Sequence, residues 1–122
     1  MNRNFFTTML LNQLKTSGNL MFANGILPID LQTPAAFLPE YVEEQARRII
    51  HNIGELSVPT PFSLSDVVSV NISLCQFKKF YPRINILFSE LFDQFNHPTI
   101  SCVGVEALPR DALIAMSFVF AK

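Results

Sequence analysis

Val68-Ser69-Val70-Asn71-Ile72-Ser73-Leu74-Cys75 sets valine, isoleucine and leucine alternately with small polar residues and a cysteine. Successive side chains of an extended chain point to opposite faces, so the segment predicts a strand with one apolar and one small, polar face. That is the pattern of a sheet with helices packed on one side. Upstream, Val42, Ala46, Ile49, Ile50, Ile53 and Leu56 recur at steps of three and four, which predicts an amphipathic helix over about residues 40–56. Glu43 and Glu44 fall in its first turn and Arg47 and Arg48 follow, in the sense the helix dipole favours. Gly54 costs it about 1 kcal/mol relative to alanine, and two prolines within residues 57–61 end it.

A second helix is predicted over residues 78–95, burying Phe80, Ile84, Leu87, Phe88, Leu91, Phe92 and Phe95. Pro82 fits only if it lies in the first turn, where its missing N–H has no helical partner anyway. Residues 19–23 and 26–30 read as two short strands interrupted by Asn24-Gly25, and 31–39 as a loop. Residues 100–105 and 113–121 read as two final strands. The order β, β, α, β, α, β, β predicts an α+β fold: a mixed sheet with two helices on one face.

The chain of 122 residues is expected to form one domain, residues 1–122. Its net charge of −1 gives no basic footprint for a phosphate backbone, so no nucleic-acid partner is expected. Charged residues are 16% and apolar residues 49%, with twelve phenylalanines and no tryptophan. A monomer this small has too much surface to hide that apolar area, which points to burial between subunits. The longest apolar stretch, near residues 113–121, is far shorter than the ~20 residues of a spanning helix. The N-terminal stretch makes a poor signal peptide, so a cytoplasmic location with no membrane partner is expected. Cys75 and Cys102 are read as free thiols, and His51 and His97 lie apart from any ligand cluster, so no metal or other cofactor is expected.

Several motifs resemble the Rid/YjgF family, also labelled endoribonuclease L-PSP-like. Residues 18–28 resemble its G-N-x-x-x-x-S-G-Q-x-P stretch. Gln45-Ala46-Arg47 with Asn52-Ile53, Leu64-Ser65-Asp66-Val67-Val68, and Phe80 with Asn85 and Leu91-Phe92 follow in family order. Pro98, Ser101-Cys102-Val103 and Leu108-Pro109 resemble the P-A-R-S-x-V…L-P signature. The resemblance implies a chorismate-mutase-like fold, a homotrimer with ligand pockets between subunits, and hydrolysis of reactive imines and enamines. In that reaction an arginine of P-A-R-S holds the substrate carboxylate and a last-strand glutamate positions water, helped by backbone groups near the S-G-Q turn.

This chain departs from the pattern where the chemistry resides. The arginine position is Ile100, which has no charge and no donor. The last strand reads Ile114-Ala115-Met116-Ser117-Phe118, so both family glutamates are missing and the water-positioning one falls on Ala115. The turn carries Asn24 and Ile26 in place of serine and glutamine. A tyrosine common near the N-terminus aligns with about Leu11. Asn24, Gly25, Ile26, Asn85, Ile100, Ser101, Cys102, Ala115 and Ser117 are therefore the candidate pocket residues by resemblance, with no catalytic residue assigned. Gly25 is expected to serve the turn, Asn85 to bond locally or across an interface, and Cys102 to be a buried, inert thiol. Arg110 is expected to be a solvated turn charge and Glu106 a surface or interface acid.

The expected function is a trimeric protein whose inter-subunit pockets bind a small neutral or apolar metabolite without standard imine deaminase activity. An alternative keeps deaminase activity through Asn24, Ser117 and backbone amides. A third, RNA-directed translation inhibition or cleavage, lacks a basic patch and a spaced histidine pair.

Overall fold

The computed structural model describes residues 13–122. A five-stranded mixed sheet has the order β1-β2-β5-β3-β4. Its strands are β1 (Leu14–Ser17), β2 (Leu20–Ile26), β3 (Val67–Cys75), β4 (Thr99–Val105) and β5 (Ile114–Ala121). β4 runs parallel to β3 and the other neighbouring pairs are antiparallel. The helices are α1 (Val42–Ser57), α2 (Phe77–Asn85) and the single turn α3 (Phe88–Leu91). The fold is α+β, as the element order predicts.

The alternation in β3 places Val70, Ile72 and Leu74 against the helices, in one core with Val42, Ala46, Ile49, Ile53, Phe118 and Phe120. Burying apolar area of this kind yields roughly 25 cal/mol per Å². Val68 does not join them. Phe120 and Val119, one step apart, pair with Val67 and Ser69, two steps apart. The extra residue is a β-bulge that puts Val67 in the core and leaves Val68 exposed.

The N-terminal strands differ from the expectation. β1 pairs with β2 as a hairpin turned by Gly18 at φ +61. β1 is the polar sequence Leu-Lys-Thr-Ser with an exposed edge, so it carries no hydrophobic signal. β2 runs through Asn24-Gly25, absorbing them as a second bulge between Ala23 and Ile26. Residues 27–30 belong to no ladder.

The single helix expected over residues 78–95 is broken. α2 starts after Gln76, a left-handed N-cap residue, and Pro82 stands in its second turn rather than its first. The proline removes a donor and the helix closes three residues later at Asn85. Arg83 ties α2 to α1, donating from Nε and Nη2 to the two Glu43 carboxylate oxygens at 2.7 Å each. Arg47 joins α1 to α3 through Glu90 at 2.7 Å. Among the described residues no helix is long and apolar enough to cross a membrane.

Candidate functional site

The candidate residues divide between the two faces of the sheet. Ile100 pairs with Val70 on the helix-covered face, while Ala115 pairs with Ser73 and Ser117 with Asn71 on the open face. Side chains at paired positions share a face. Within one chain Ile100 and Ala115 therefore stand on opposite sides of the sheet.

On the covered side, Ile100 forms one wall of a cleft of about 470 Å³ between β4 and α3. Phe88, Phe92, Phe95 and Pro98 supply most of the rest, with His97 and Asp93 at its margin. The rings are packed in series: Phe88 to Phe92 at 5.9 Å, Phe92 to Phe95 at 5.2 Å edge-on, and Phe95 to core Phe118 at 6.1 Å. Such offset and edge-on pairs hold each ring in place, so the floor is preformed. Among the described residues no lysine or arginine lines the cleft.

On the open side, small polar groups form a row across four strands. Ser101 Oγ on β4 lies 2.5 Å from Asn71 Oδ1 on β3. Asn71 is opposite Ser117 on β5, whose Oγ accepts the Gly25 N–H of β2 at 2.9 Å. Gly25 has φ +61, where a Cβ is strained, so the bulge that aims this N–H requires glycine. Gln13 clamps the same bulge: its Nε2 donates to Gly25 O at 2.6 Å and its backbone O accepts Asn24 N–H at 2.9 Å. Asn24 is exposed, and Ile26 is buried with the helix-side core.

Ala115 is buried with Leu27, Ile29 and Ala112 in a small second cluster beneath the 27–38 segment. A methyl group fits there and a carboxylate would be desolvated. Cys102 is half-buried, and burial pushes its thiol up from the ordinary range, as it does for buried Cys75. Asn85 is exposed at the end of α2, its Oδ1 accepting from Tyr81 Oη at 3.4 Å. Glu106 is exposed. Leu11 lies outside the described residues.

Three polar residues take positions that local patterns do not announce. Gln45, buried on α1, donates to Pro39 O at 2.8 Å and accepts Leu113 N–H at 2.8 Å. Asn52, also buried, donates from Nδ2 to Leu27 O at 3.1 Å and Ile29 O at 2.7 Å. Arg110 is not simply a solvated turn charge: its guanidinium donates to Pro34 O at 2.9 Å and Ala36 O at 3.0 Å. Together they fasten the 27–39 segment over α1 and the start of β5. Gln45 and Asn52 stood in quoted motifs, but a motif position does not reveal which carbonyls a side chain will reach.

The profile of the family described as endoribonuclease L-PSP matches residues 5–121. The chain belongs to the Rid/YjgF family. A RutC family protein of Pyrococcus abyssi is 34% identical over 105 residues, spanning 86% of this chain and 80% of that protein. TdcF of Escherichia coli K12, provisionally named a reactive intermediate deaminase, is 31% identical over 96 residues, spanning 77% and 72%. The solved structure of E. coli TdcF with bound serine superposes at a TM-score of 0.80 and 27% identity, covering 90% of this chain and 86% of that one. A Thermotoga maritima protein described provisionally as an endoribonuclease gives 0.80 and 31%, covering 90% and 84%.

Proposed function

We propose that this Rid/YjgF protein assembles as a homotrimer and binds a small neutral or apolar metabolite at pockets between subunits, without standard imine deaminase activity. The observation that carries the reading is Ile100 in the wall of the phenylalanine-lined cleft, with no lysine or arginine among the described lining residues. A carboxylate ligand entering it would lose its hydration and gain no cation. A neutral, apolar ligand loses little and buries area against four preformed apolar walls.

Assembly is supported by the edge the cleft lies on. Ile100 is 37% exposed and Val103 57%, and Val68 adds 47% on the neighbouring strand. Among the described residues, β4 leaves one side of its backbone unpaired beside them. Apolar side chains on an unpaired edge strand are a liability that a second copy removes. Ala115 and Ile100 face opposite ways, so a pocket containing both positions takes them from two chains.

The test is imine hydrolysis by the purified protein against buffer, with imine generated in situ by an amino-acid oxidase. Binding of 2-oxobutyrate and of a neutral isostere is measured beside it, and mass by light scattering. A rate equal to buffer, preference for the neutral ligand and a threefold mass are expected. Acceleration over buffer would return the reading to a deaminase working through Asn24, Ser117 and the Gly25 amide.

A further inference from the structure

The Ile100 cleft is apolar within and polar at its mouth. Phe92 and Phe95 on its floor are 7% exposed each, whereas Ser89, Asp93 and His97, which also line it, stand exposed. Among the described residues the Asp93 carboxylate accepts no hydrogen bond and meets no cation. Among the described lining residues it is also the one formal charge, set beside phenylalanine, proline, isoleucine, serine and histidine. At about 470 Å³ the cleft has the size of a small-molecule site.

The backbone marks the same mouth. His97 stands at φ +50, in the left-handed region that favours glycine, and it directly precedes Pro98. A residue before proline is pushed towards extended conformations, so the position is disfavoured twice. Strain of this kind persists where the surroundings hold it, and ligand clamps are among the places where it gathers. A glycine would relieve it but would bring no imidazole to the mouth.

We infer that the cleft takes an apolar primary amine, its hydrocarbon body against Phe88, Phe92, Phe95 and Ile100 and its ammonium group at the mouth against Asp93 and His97. The inference rests on the reading of this cleft as a pocket for an apolar ligand, and it adds the polar end that such a ligand presents. An ammonium donates to the carboxylate and to the imidazole nitrogen that is an acceptor in the neutral ring. The faces of the phenylalanine rings are negative, which favours a cation near them and disfavours an anion. A hydroxyl donates to Asp93 as well, but without the attraction between opposite charges. A carboxylate meets Asp93 as a like charge. The polarity is thus the reverse of an arginine-built pocket, with the acid on the protein and the cation on the ligand.

The experiment titrates the ¹⁵N-labelled full chain with 2-phenylethylamine, 2-phenylethanol and phenylacetate, which share a ring and differ in the head group, following backbone amides. The amine is expected to move the amides of residues 88–100 saturably. It should bind at least about threefold more tightly than the alcohol and about tenfold more tightly than the acid. Asp93→Asn changes an exposed side chain without a partner. It is expected to bring the amine to the level of the alcohol and to leave the alcohol where it was. His97→Gly is expected to weaken the amine by about threefold without lowering the thermal midpoint. A lowered midpoint with unchanged affinity would make His97 a residue of the fold and overturn its part here. Equal binding of amine and alcohol, both ahead of the acid, would overturn the amine and leave the apolar pocket standing. No saturable shift by any of the three up to ~20 mM, or phenylacetate binding most tightly, would overturn both.

Discussion

Ile100 and Ala115, the positions onto which the family resemblance places a carboxylate-gripping arginine and a water-positioning glutamate, face opposite sides of one sheet. On the proposed assembly, a site rebuilt at both is a composite of two subunits. Ile100→Arg and Ala115→Glu proteins should each stay at the buffer rate for imine hydrolysis. Co-refolded from denaturant, they should show a rate above either alone. If mixing gains nothing while the double variant is active, the two positions act within one chain.

Ala115→Glu also has a stability consequence. Placing a carboxylate among Leu27, Ile29 and Ala112 should cost about 2–4 kcal/mol at neutral pH, read from urea midpoints. Desolvation raises the folded-state pKa of such a glutamate above its unfolded value. The penalty therefore exists where the unfolded chain is ionised, and it should shrink as pH falls from 7 towards 4. An unchanged deficit across that window would place the side chain in water.

Glu43 gives the contrasting pH effect. Its side-chain hydrogen bonds to Arg83 hold its carboxyl below the usual range. A depressed folded-state pKa contributes stability that is present above the unfolded value and lost as pH falls through the folded one. Because the pair is solvent-screened, only a small favourable coupling is expected from a double-mutant cycle of Glu43→Gln and Arg83→Gln at pH 7. The coupling should vanish at the acid end of the titration.

Asn52→Ala should leave the Leu27 and Ile29 carbonyls unpaired and destabilise the chain by about 2–4 kcal/mol. Amide hydrogen exchange should accelerate first in residues 27–31, ahead of the sheet. Equal acceleration everywhere would mean that the segment is not a separate opening unit.

At the bulge, Gly25→Ala meets φ +61 and should lose about 1 kcal/mol. Ser117→Ala strands the Gly25 N–H and should lose a similar amount, about 1 kcal/mol. The two losses should combine to less than their sum, because both act on one hydrogen bond. Full additivity in thermal melts would show that the bond at 2.9 Å contributes little.

What could be read in advance follows from how local each signal is. The alternation of Val70, Ile72 and Leu74 and the stripe of Val42, Ala46, Ile49 and Ile53 repeat with the period of their element, and both sets are buried as predicted. β1 escaped because an edge strand exposed on both faces needs no apolar pattern. Val68 was assigned to the wrong face because a bulge is decided by the partner strand, here β5. The break after Asn85 reflects where Pro82 falls once Gln76 takes a left-handed conformation, and no periodicity contains that. Family membership was legible from motifs spread along the chain, and the profile match over residues 5–121 bears it out. Whether a motif position meets a cavity was not legible. Ala115 pairs in register with Ser73, yet it is enclosed by a segment drawn in by Gln45, Asn52 and Arg110, residues far away in sequence.

The sheet order carries a last implication, for synthesis rather than for binding. β5 is the final strand in the sequence but sits between β2 and β3. A nascent chain that has emerged only as far as Val105 holds two strands whose mutual neighbour is still inside the ribosome. Their edges stay open and their shared apolar face is half covered, the condition under which strands pair with the wrong chain. The interval between residues 105 and 121 leaving the ribosome is therefore one in which the chain is open to mispairing. Substitutions that weaken Ile114, Met116 and Phe118 should surface as inclusion bodies before they surface as lost function.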